Sequence, residues 1–141
     1  MSTGRSLFLH TLDDAAVDAV LEAIETAPDG WMIDFRVLGG AVASVPVDAT
    51  AFAHRTSPVQ VTIINWLDDP AGAEEAIAWN RALFGVLEPK ATGAYVNFLE
   101  DEGEDRIRAA YPAATLERLR AVKRRYDPAN VFHRNQNIRL A

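Results

Sequence analysis

The run Val59–Trp66 constrains the fold of this chain more than any other segment of its sequence. It is rich in β-branched residues, which favour strands, and it predicts a central strand. A second segment, Trp31–Leu38, alternates apolar side chains on one face with Asp34 and Arg36 on the other. This period of two is typical of a half-buried strand. The chain is therefore expected to build a β-sheet.

Apolar residues at helical spacing predict three longer helices around these strands. The first begins at Asp13-Asp14 and ends before Pro28, and the second runs from Pro70 to Pro89. The last begins at Pro112 and must end at Asp127-Pro128, because the residue before proline avoids the helical region. The inward positions expected for the first helix are Ala16, Val17, Val20, Leu21 and Ile24, and those for the last are Leu116, Leu119, Val122 and Tyr126.

Three shorter strands are also expected, at residues 6–10, 41–45 and 93–99, with a short helix at Asp105–Tyr111. Helices that alternate with a few strands favour an α+β fold, in which helices pack on one face of a mostly antiparallel sheet. We find no repeat or long linker, so the 141 residues are expected to form a single domain, residues 1–141.

Composition excludes several classes of function. The chain has no cysteine, which rules out disulfides, thiolate metal ligands and a cysteine nucleophile. Its net charge of −6 argues against nonspecific nucleic-acid binding. His10, His54 and His133 lack metal-ligand spacing, so no metal site is expected. No apolar run has the length needed to cross a membrane, and we expect a soluble, cytoplasmic protein.

A family resemblance begins at Gly93. The segment Tyr95-Val96-Asn97-Phe98 is similar to the Tyr-x-Asn-Tyr or Tyr-x-Asn-Phe strand of berberine-bridge-type FAD-linked oxidases. Arg118–Phe132 resembles the family's signature Arg-Leu-x-x-x-Lys-x-Lys/Arg-Tyr-Asp-Pro-x-Asn-x-Phe, and Asn135, Gln136 and Ile138 match its ending. Tyr95–Ile138 is thus identified as the C-terminal segment of this family. Residues 35–55 fall more loosely in the order of its substrate domain.

The resemblance implies that the whole chain is one berberine-like domain, formed by the second half of a substrate domain and the C-terminal extension. It implies FAD as the cofactor and a small molecule as the substrate. The family's FAD-binding domain precedes the substrate domain, and its flavin-attachment residues have no counterpart in these 141 residues. We therefore expect that the chain does not hold FAD alone and that it needs an FAD-domain partner.

The same resemblance suggests site residues. Asn135 and Gln136 are implied to lie beside the flavin, although a self-packed tail would account for them equally well. Phe98 occupies the position of a tyrosine that acts as the base in many members, and phenylalanine has no proton to transfer. Tyr95 is expected on the opposite strand face, where it could not substitute. The catalytic residues are thus left unknown, and Phe98 is expected to contact substrate.

Asp34 and Arg36 are predicted to contact substrate as well. With His54 and Arg55 they could polarise a carbonyl or orient a carboxylate, and the alternative is an exposed ion pair on the sheet. The sequence leaves three functions open: the substrate-binding part of an FAD-dependent oxidase, a free-standing small-molecule binder or cofactor-independent enzyme, and a degenerate domain that forms dimers. A homodimer is expected under the last two.

Overall fold

A computed structural model describes residues 2–67, 69–99, 103–134 and 136–140 of the chain. Within these residues lie the strands β1 (Ser2–Leu9), β2 (Trp31–Val37), β3 (Val59–Trp66) and β4 (Ala91–Gly93), and the helices α1 (Asp14–Glu25), α2 (Ala41–Ser44), α3 (Ala73–Leu87), α4 (Glu104–Ala110) and α5 (Ala113–Tyr126). Short 3-10 turns precede α3 and follow it, and a third lies at Val96–Phe98.

The strands of the described residues form one antiparallel sheet in the order β2-β3-β1-β4. This confirms the predicted α+β class and the central position of β3. The first strand is longer than residues 6–10, because all eight of its residues pair with β3. Strand β2 lies at one edge, where the side chain of Val37 is 86% exposed. An exposed apolar edge suits self-association, and the homodimer stays a prediction.

One face of the sheet packs against α1 and α3. Leu7, Leu9, Val61 and Ile63 project from the strands into this core, together with buried apolar residues of both helices. Asn80 of α3 fixes the helix to the sheet, since its Nδ2 donates to the carbonyl of Ile63 at 3.0 Å and to Oδ1 of Asn65 at 3.1 Å. The sequence prediction that helices cover one face of the sheet is thereby confirmed.

Helix α1 begins as predicted, because Oδ1 of Asp13 accepts a hydrogen bond from the backbone N–H of Ala16 at 2.9 Å. Its buried stripe is narrower than expected. Ala16 and Val20 are buried, whereas Val17, Leu21 and Ile24 are exposed. The prediction for those three positions was wrong, because the helix contacts the sheet and α3 along one narrow line of side chains.

Residues 41–45 were expected to form a strand, and this was wrong: Ala41–Ser44 is a turn of helix. The pairing of β2 with β3 ends where Val37 meets Val59, the first residue of β3. Residues beyond Val37 therefore have no strand left to pair with. The backbone folds back locally instead, and the N–H of Val42 donates to the carbonyl of Gly39.

The strand expected at residues 93–99 is also wrong. Strand β4 ends at Gly93, and Val96–Phe98 forms a 3-10 turn. The N–H of Ala94 donates to the carbonyl of Ala109, and the N–H of Tyr95 donates to Oγ of Ser6. The backbone donors are thus diverted away from the β1 ladder, which stops the strand.

Helices α4 and α5 follow at the β4 end of the sheet. Ala110 of α4 is buried against Ala94 and Leu99, and Leu116 of α5 is buried. Val122 and Tyr126 were predicted to point inward, but they are 54% and 70% exposed. The C-terminal half of α5 therefore projects beyond the core. The helix ends at Tyr126, as Asp127-Pro128 predicted.

A membrane-spanning helix would need greater length and a more apolar composition than any helix in the described part of the chain has.

Candidate functional site

A row of four side-chain positions crosses the sheet on the face opposite α1 and α3, which we call the second face. Arg36 of β2 pairs with Gln60 of β3, Gln60 pairs with Phe8 of β1, and Phe8 pairs with Gly93 of β4. Directly paired residues point to the same face of a sheet. The row therefore places a guanidinium, an amide, an aromatic ring and an open glycine side by side on the second face.

His54 fills the space over that glycine. Its imidazole stacks on Phe8 with ring centroids 4.7 Å apart, and a Cβ atom at Gly93 would lie 1.9 Å from its Cε1. Nε2 lies 3.1 Å from the carbonyl oxygen of Ala110, so this nitrogen carries the proton. Burial lowers the pKa of His54. The ring is therefore held in one orientation and is neutral at pH 7.

Two further aromatic rings close around Phe8. The centroids of Phe52 and Tyr95 lie 5.8 Å and 6.4 Å from that of Phe8, and they lie 6.1 Å from each other in an edge-to-face arrangement. The phenol oxygen of Tyr95 accepts a hydrogen bond from Nδ2 of Asn97 at 2.8 Å. Aromatic walls with a few polar groups are typical of small-molecule sites.

Tyr95 and Phe98 lie together, contrary to the prediction that they occupy opposite faces. Their rings meet edge to face with centroids 5.2 Å apart. The 3-10 turn at Val96–Phe98 is the cause, because three residues per turn bring both side chains to the same side. The phenol of Tyr95 therefore belongs to the same surface as Phe98.

The predicted substrate residues Asp34, Arg36 and Phe98 also come together. Nε of Arg36 lies 2.7 Å from Oδ2 of Asp34, and its Cζ lies 5.3 Å from the ring centroid of Phe98. The ion pair expected between Asp34 and Arg36 is thus present along one strand, and Phe98 stacks against it. Whether these residues contact a substrate stays a prediction.

Several of these side chains line a cavity of about 470 Å³, which we call the first cavity. Burial raises the pKa of Tyr111 in its wall, so this phenol is protonated at neutral pH and can donate a hydrogen bond. Arg55 closes the rim and fixes the loop before β3 through the carbonyls of Phe52 and Val42. The side chains that line the first cavity include those of Arg36, Phe52, His54, Arg55, Gln60, Tyr95, Asn97 and Tyr111.

A second, more polar cavity of about 1140 Å³ adjoins the first along Val96 and Asn97 and reaches the C-terminal tail. Gln136 lines it, with its Nε2 donating to the carbonyl of Leu99 at 2.7 Å. Asn137 lines it too, and its buried Oδ1 has no hydrogen-bond partner among the residues that the structure describes. Asn135, the other predicted flavin contact, lies outside the described residues.

Asp127 fixes the turn that leads into this tail. Its carboxylate accepts hydrogen bonds from Nζ of Lys123, from the N–H of Val131 at 2.7 Å and from the N–H of Phe132 at 3.1 Å. The bond from Lys123 lowers the pKa of Asp127, and the two backbone donors add to the effect. The sequence motif Asp127-Pro128 thus both ends α5 and directs the chain back toward Leu99.

Sequence analysis missed several cavity residues. Phe52, Asn97 and Tyr111 were seen only as parts of motifs, and Asn137 was passed over between Gln136 and Ile138. The density of aromatic and amide side chains in Tyr95–Phe98 was a usable signal. No sequence pattern could indicate that Gly93 leaves room for the His54 ring, since the two residues meet only in the folded chain.

Comparison with known proteins supports one class. Residues 94–139 match the family model described as berberine and berberine like. An uncharacterised FAD-linked oxidoreductase of Bacillus subtilis, YgaK, is 32% identical in an alignment of 143 positions that covers 98% of this chain and 31% of YgaK. A xylooligosaccharide oxidase of Thermothelomyces thermophilus is 30% identical over 97% of this chain and 30% of its own length.

Solved structures agree with the sequence relatives. The BBE-like 1 protein of Physcomitrella patens superposes with a TM-score of 0.89 at 26% identity, covering 100% of this chain and 31% of the other. A glycopeptide hexose oxidase solved with teicoplanin gives a TM-score of 0.86 at 25% identity, covering 98% and 32%.

The fold and these matches show that the chain corresponds to one part of proteins of the FAD-linked oxidoreductase class. Within that class, the chain belongs to the berberine-bridge-enzyme-like family. It spans about a third of the length of the relatives that it matches.

Proposed function

We propose that this chain forms the substrate-binding side of an FAD-dependent oxidoreductase and that the substrate occupies the first cavity. The observation that supports it is that Arg36 and Gln60, which are paired across β2 and β3, line one cavity together with the aromatic side chains of Phe52 and Tyr95. A small molecule placed there would meet aromatic walls and a few oriented polar groups, as ligand sites commonly provide.

The second cavity has features that suit a flavin. Within the described part of the chain the buried Oδ1 of Asn137 is an acceptor without a partner, and a flavin ring carries an N–H that can donate to such an oxygen. Gln136 is fixed beside it by its bond to Leu99. When bound, FAD accepts the electrons that leave the substrate, and the protein supplies orientation and electrostatics. We expect the larger part of the FAD site to come from residues outside this chain.

The residues of the first cavity would orient the substrate and handle its proton. The neutral imidazole of His54 presents Nδ1 as an acceptor, because Nε2 is bound to Ala110. Tyr95 carries an ionisable hydroxyl next to Phe98, which has none. Tyr95 is therefore our candidate for the proton-accepting role that Phe98 cannot fill, and Asn97 fixes the position of its phenol.

A chimera tests this function. The matching segment of Bacillus subtilis YgaK would be exchanged for this chain, and the purified protein examined for a flavin absorption band. Reduction of that flavin would be followed under anaerobic conditions with a panel of sugars and of aromatic alcohols with and without a carboxylate. YgaK itself is the control for expression and flavin loading. We expect a flavin-loaded chimera that at least one substrate reduces. Loading equal to that of YgaK without reduction by any compound that reduces YgaK would contradict the proposal.

A chimera that fails to fold would leave the isolated chain as the test. Hydrogen exchange with bound small molecules would then map the ligand footprint. Slower exchange around His54 and Tyr95 supports the first cavity as the binding site, and protection confined to α1 and α3 contradicts it.

A second function, small-molecule binding without flavin, is favoured by one observation: Phe98 stands at the position of the tyrosine base of many family members, and phenylalanine has no proton to transfer. The two functions predict different results for flavin reduction in the chimera. A binder without redox chemistry would bind ligand in the first cavity while the flavin of the chimera stays oxidised.

A further inference from the structure

We infer that the first cavity selects a ligand that carries a carboxylate on a flat apolar body, and that Arg36 determines this specificity. The inference rests on the proposed function, because it names the substrate class of the same cavity. The evidence for it is the positive charge of the side chains that line the first cavity and the geometry of the Arg36 guanidinium.

The charge of the first cavity is positive. Arg36 and Arg55 both line it, and among the described residues its lining contains no carboxylate. Asp34, which lies outside the lining, forms an ion pair with Arg36 and balances one of the two arginines. An anionic group on the ligand would therefore meet an uncompensated positive charge at the mouth of the cavity.

The guanidinium of Arg36 is held from two sides. Asp34 binds it through Nε at 2.7 Å, and the Phe98 ring lies 5.3 Å below its Cζ. Its terminal nitrogens, Nη1 and Nη2, make no hydrogen bond within the part of the chain that the structure describes, and the side chain is 48% exposed. Two parallel N–H donors in this arrangement match the two oxygens of a carboxylate.

Arg55 differs from Arg36 in this respect. Its Nε, Nη1 and Nη2 donate to Phe52, Val42 and Thr50 respectively. This guanidinium is engaged in holding the loop before β3, and it contributes charge without an open pair of donors. Arg36 is therefore the group that can recognise a carboxylate bidentately.

The rest of the lining suits a flat apolar body. Phe52 and Tyr95 stand edge to face over Phe8, and the cavity of about 470 Å³ is large enough for one or two rings. A ring packed against the cavity side of Phe52 and Tyr95 could direct a carboxylate toward Arg36. Ligands of this class include aromatic and unsaturated carboxylic acids.

Matched ligands test the inference on the chain as it exists. Binding of cinnamate, cinnamamide and methyl cinnamate would be measured by calorimetry for the wild type, for Arg36→Gln, for Arg36→Lys and for Arg124→Gln. Arg124 is an exposed arginine of α5 outside the cavity lining, so it matches the charge change of Arg36→Gln. Circular dichroism would verify that each variant folds. If Arg36→Gln does not fold, Arg36→Lys takes its place as the test variant.

We expect the wild type and Arg124→Gln to bind cinnamate about tenfold more tightly than its amide or ester, because only the acid makes charge-assisted hydrogen bonds. Arg36→Gln should remove this preference, Arg36→Lys should keep part of it, and added salt should weaken it.

Equal binding of acid and amide, an acid preference that survives Arg36→Gln, or no binding of any of the three compounds would overturn the inference. These outcomes differ from a failure of the proposed function. A chimera whose flavin is never reduced would contradict the oxidoreductase proposal, and the acid preference of the isolated chain would be measured independently of it.

Discussion

The imidazole of His54 occupies the space into which a side chain at position 93 would project, since a Cβ atom on Gly93 would lie 1.9 Å from Cε1 and 2.5 Å from Nδ1 of the ring. His54 is in turn held by Phe8 on one ring face and by the carbonyl of Ala110 at Nε2. The ring cannot move aside without losing both contacts. Position 93 thereby sets where His54 stands in the first cavity.

Replacing Gly93 by alanine should destabilise the fold by about 1–3 kcal/mol, the usual cost of forcing extra volume into a packed site. Gly85→Ala is the matched control. A Cβ at Gly85 meets nothing within 4 Å inside α3, so this change should stabilise by about 0.5–1 kcal/mol. Urea denaturation measures both variants. In the double variant Gly93→Ala/His54→Ala the clash is absent. The double variant should therefore lose less unfolding free energy than the two single variants lose together. Additive costs would show that the ring and position 93 do not meet.

The stability of the protein should rise with pH through the titration of His54. Burial lowers its folded pKa below the ordinary value of 6.5, so the unfolded chain binds the proton more readily. The free energy of unfolding should therefore increase with pH from the lowered pKa up to about pH 7.5 and then level off. Below this window the folded protein bears the full cost of burying a protonated imidazole, and above it the ring is neutral in both states and that cost is gone.

His54→Gln serves as the comparison, because its amide can still donate to Ala110 but does not titrate. Unfolding measured from about pH 5 to about pH 7.5 should show this rise in the wild type only. Asp13 and Asp127 do not interfere, since hydrogen bonds from Lys90 and Lys123 lower their pKa values from an ordinary value of 3.8. Parallel pH profiles for the two proteins would refute a lowered pKa at His54.

Much of the fold could be predicted from the sequence. The period of two in Trp31–Leu38, the β-branched run Val59–Trp66 and the helical spacing between Pro70 and Pro89 are local patterns, and two strands and a helix form there. The half-buried face predicted for the first of these strands was wrong in part, because Phe35 and Val37 are exposed at the edge of the sheet. The failures depend on partners that are distant in sequence. Residues 41–45 have strand-forming side chains but no strand to pair with, and residues 94–98 lose their backbone donors to Ser6 and to α4.

The candidate site could be predicted in part. Asp34 and Arg36 share a face because of the strand period alone, and the structure adds that Phe98 stacks on Arg36. The proximity of Tyr95 to Phe98 was unpredictable from a strand pattern, because the segment is a 3-10 turn. Val122 and Tyr126 are exposed although they lie on the apolar stripe of α5. Such a stripe indicates which face of a helix is buried, but not how far along the helix the core extends.

Trp79 should contribute more to stability than Trp66. The Nε1–H of Trp79 donates to the carbonyl of Ala23 at 2.8 Å, which links α3 to the end of α1, and the side chain is buried. Trp79→Phe removes that bond and part of the core volume, and should cost about 1–3 kcal/mol. Trp66→Phe alters a half-exposed side chain and should change stability by less than about 0.5 kcal/mol. Similar losses in thermal and urea unfolding for the two variants would be inconsistent with this packing.

Asp127 should control the order of the tail that carries Gln136. Asp127→Ala removes the acceptor for Lys123 and for the backbone of Val131 and Phe132. We expect faster cleavage by trypsin after Arg134 and Arg139, with little change in the melting temperature of the sheet. Glu117→Gln is the control, since it breaks only a surface ion pair with Arg120. Cleavage at the wild-type rate in Asp127→Ala would show that the turn is held by other contacts.

Anaerobic reduction of the flavin in the chimera tests the central proposal most directly, because it reports on the substrate side and the cofactor together. The reduction rate would be compared for Tyr95→Phe, Asn97→Ala and the helix-face control Leu21→Ala at saturating substrate. Our account predicts that the two cavity variants slow reduction by about a hundredfold or more, in the range of a lost acid–base or orienting group, and that the control reduces at the parent rate. Equal rates in all three variants, with flavin fully loaded, would contradict the placement of the substrate in the first cavity.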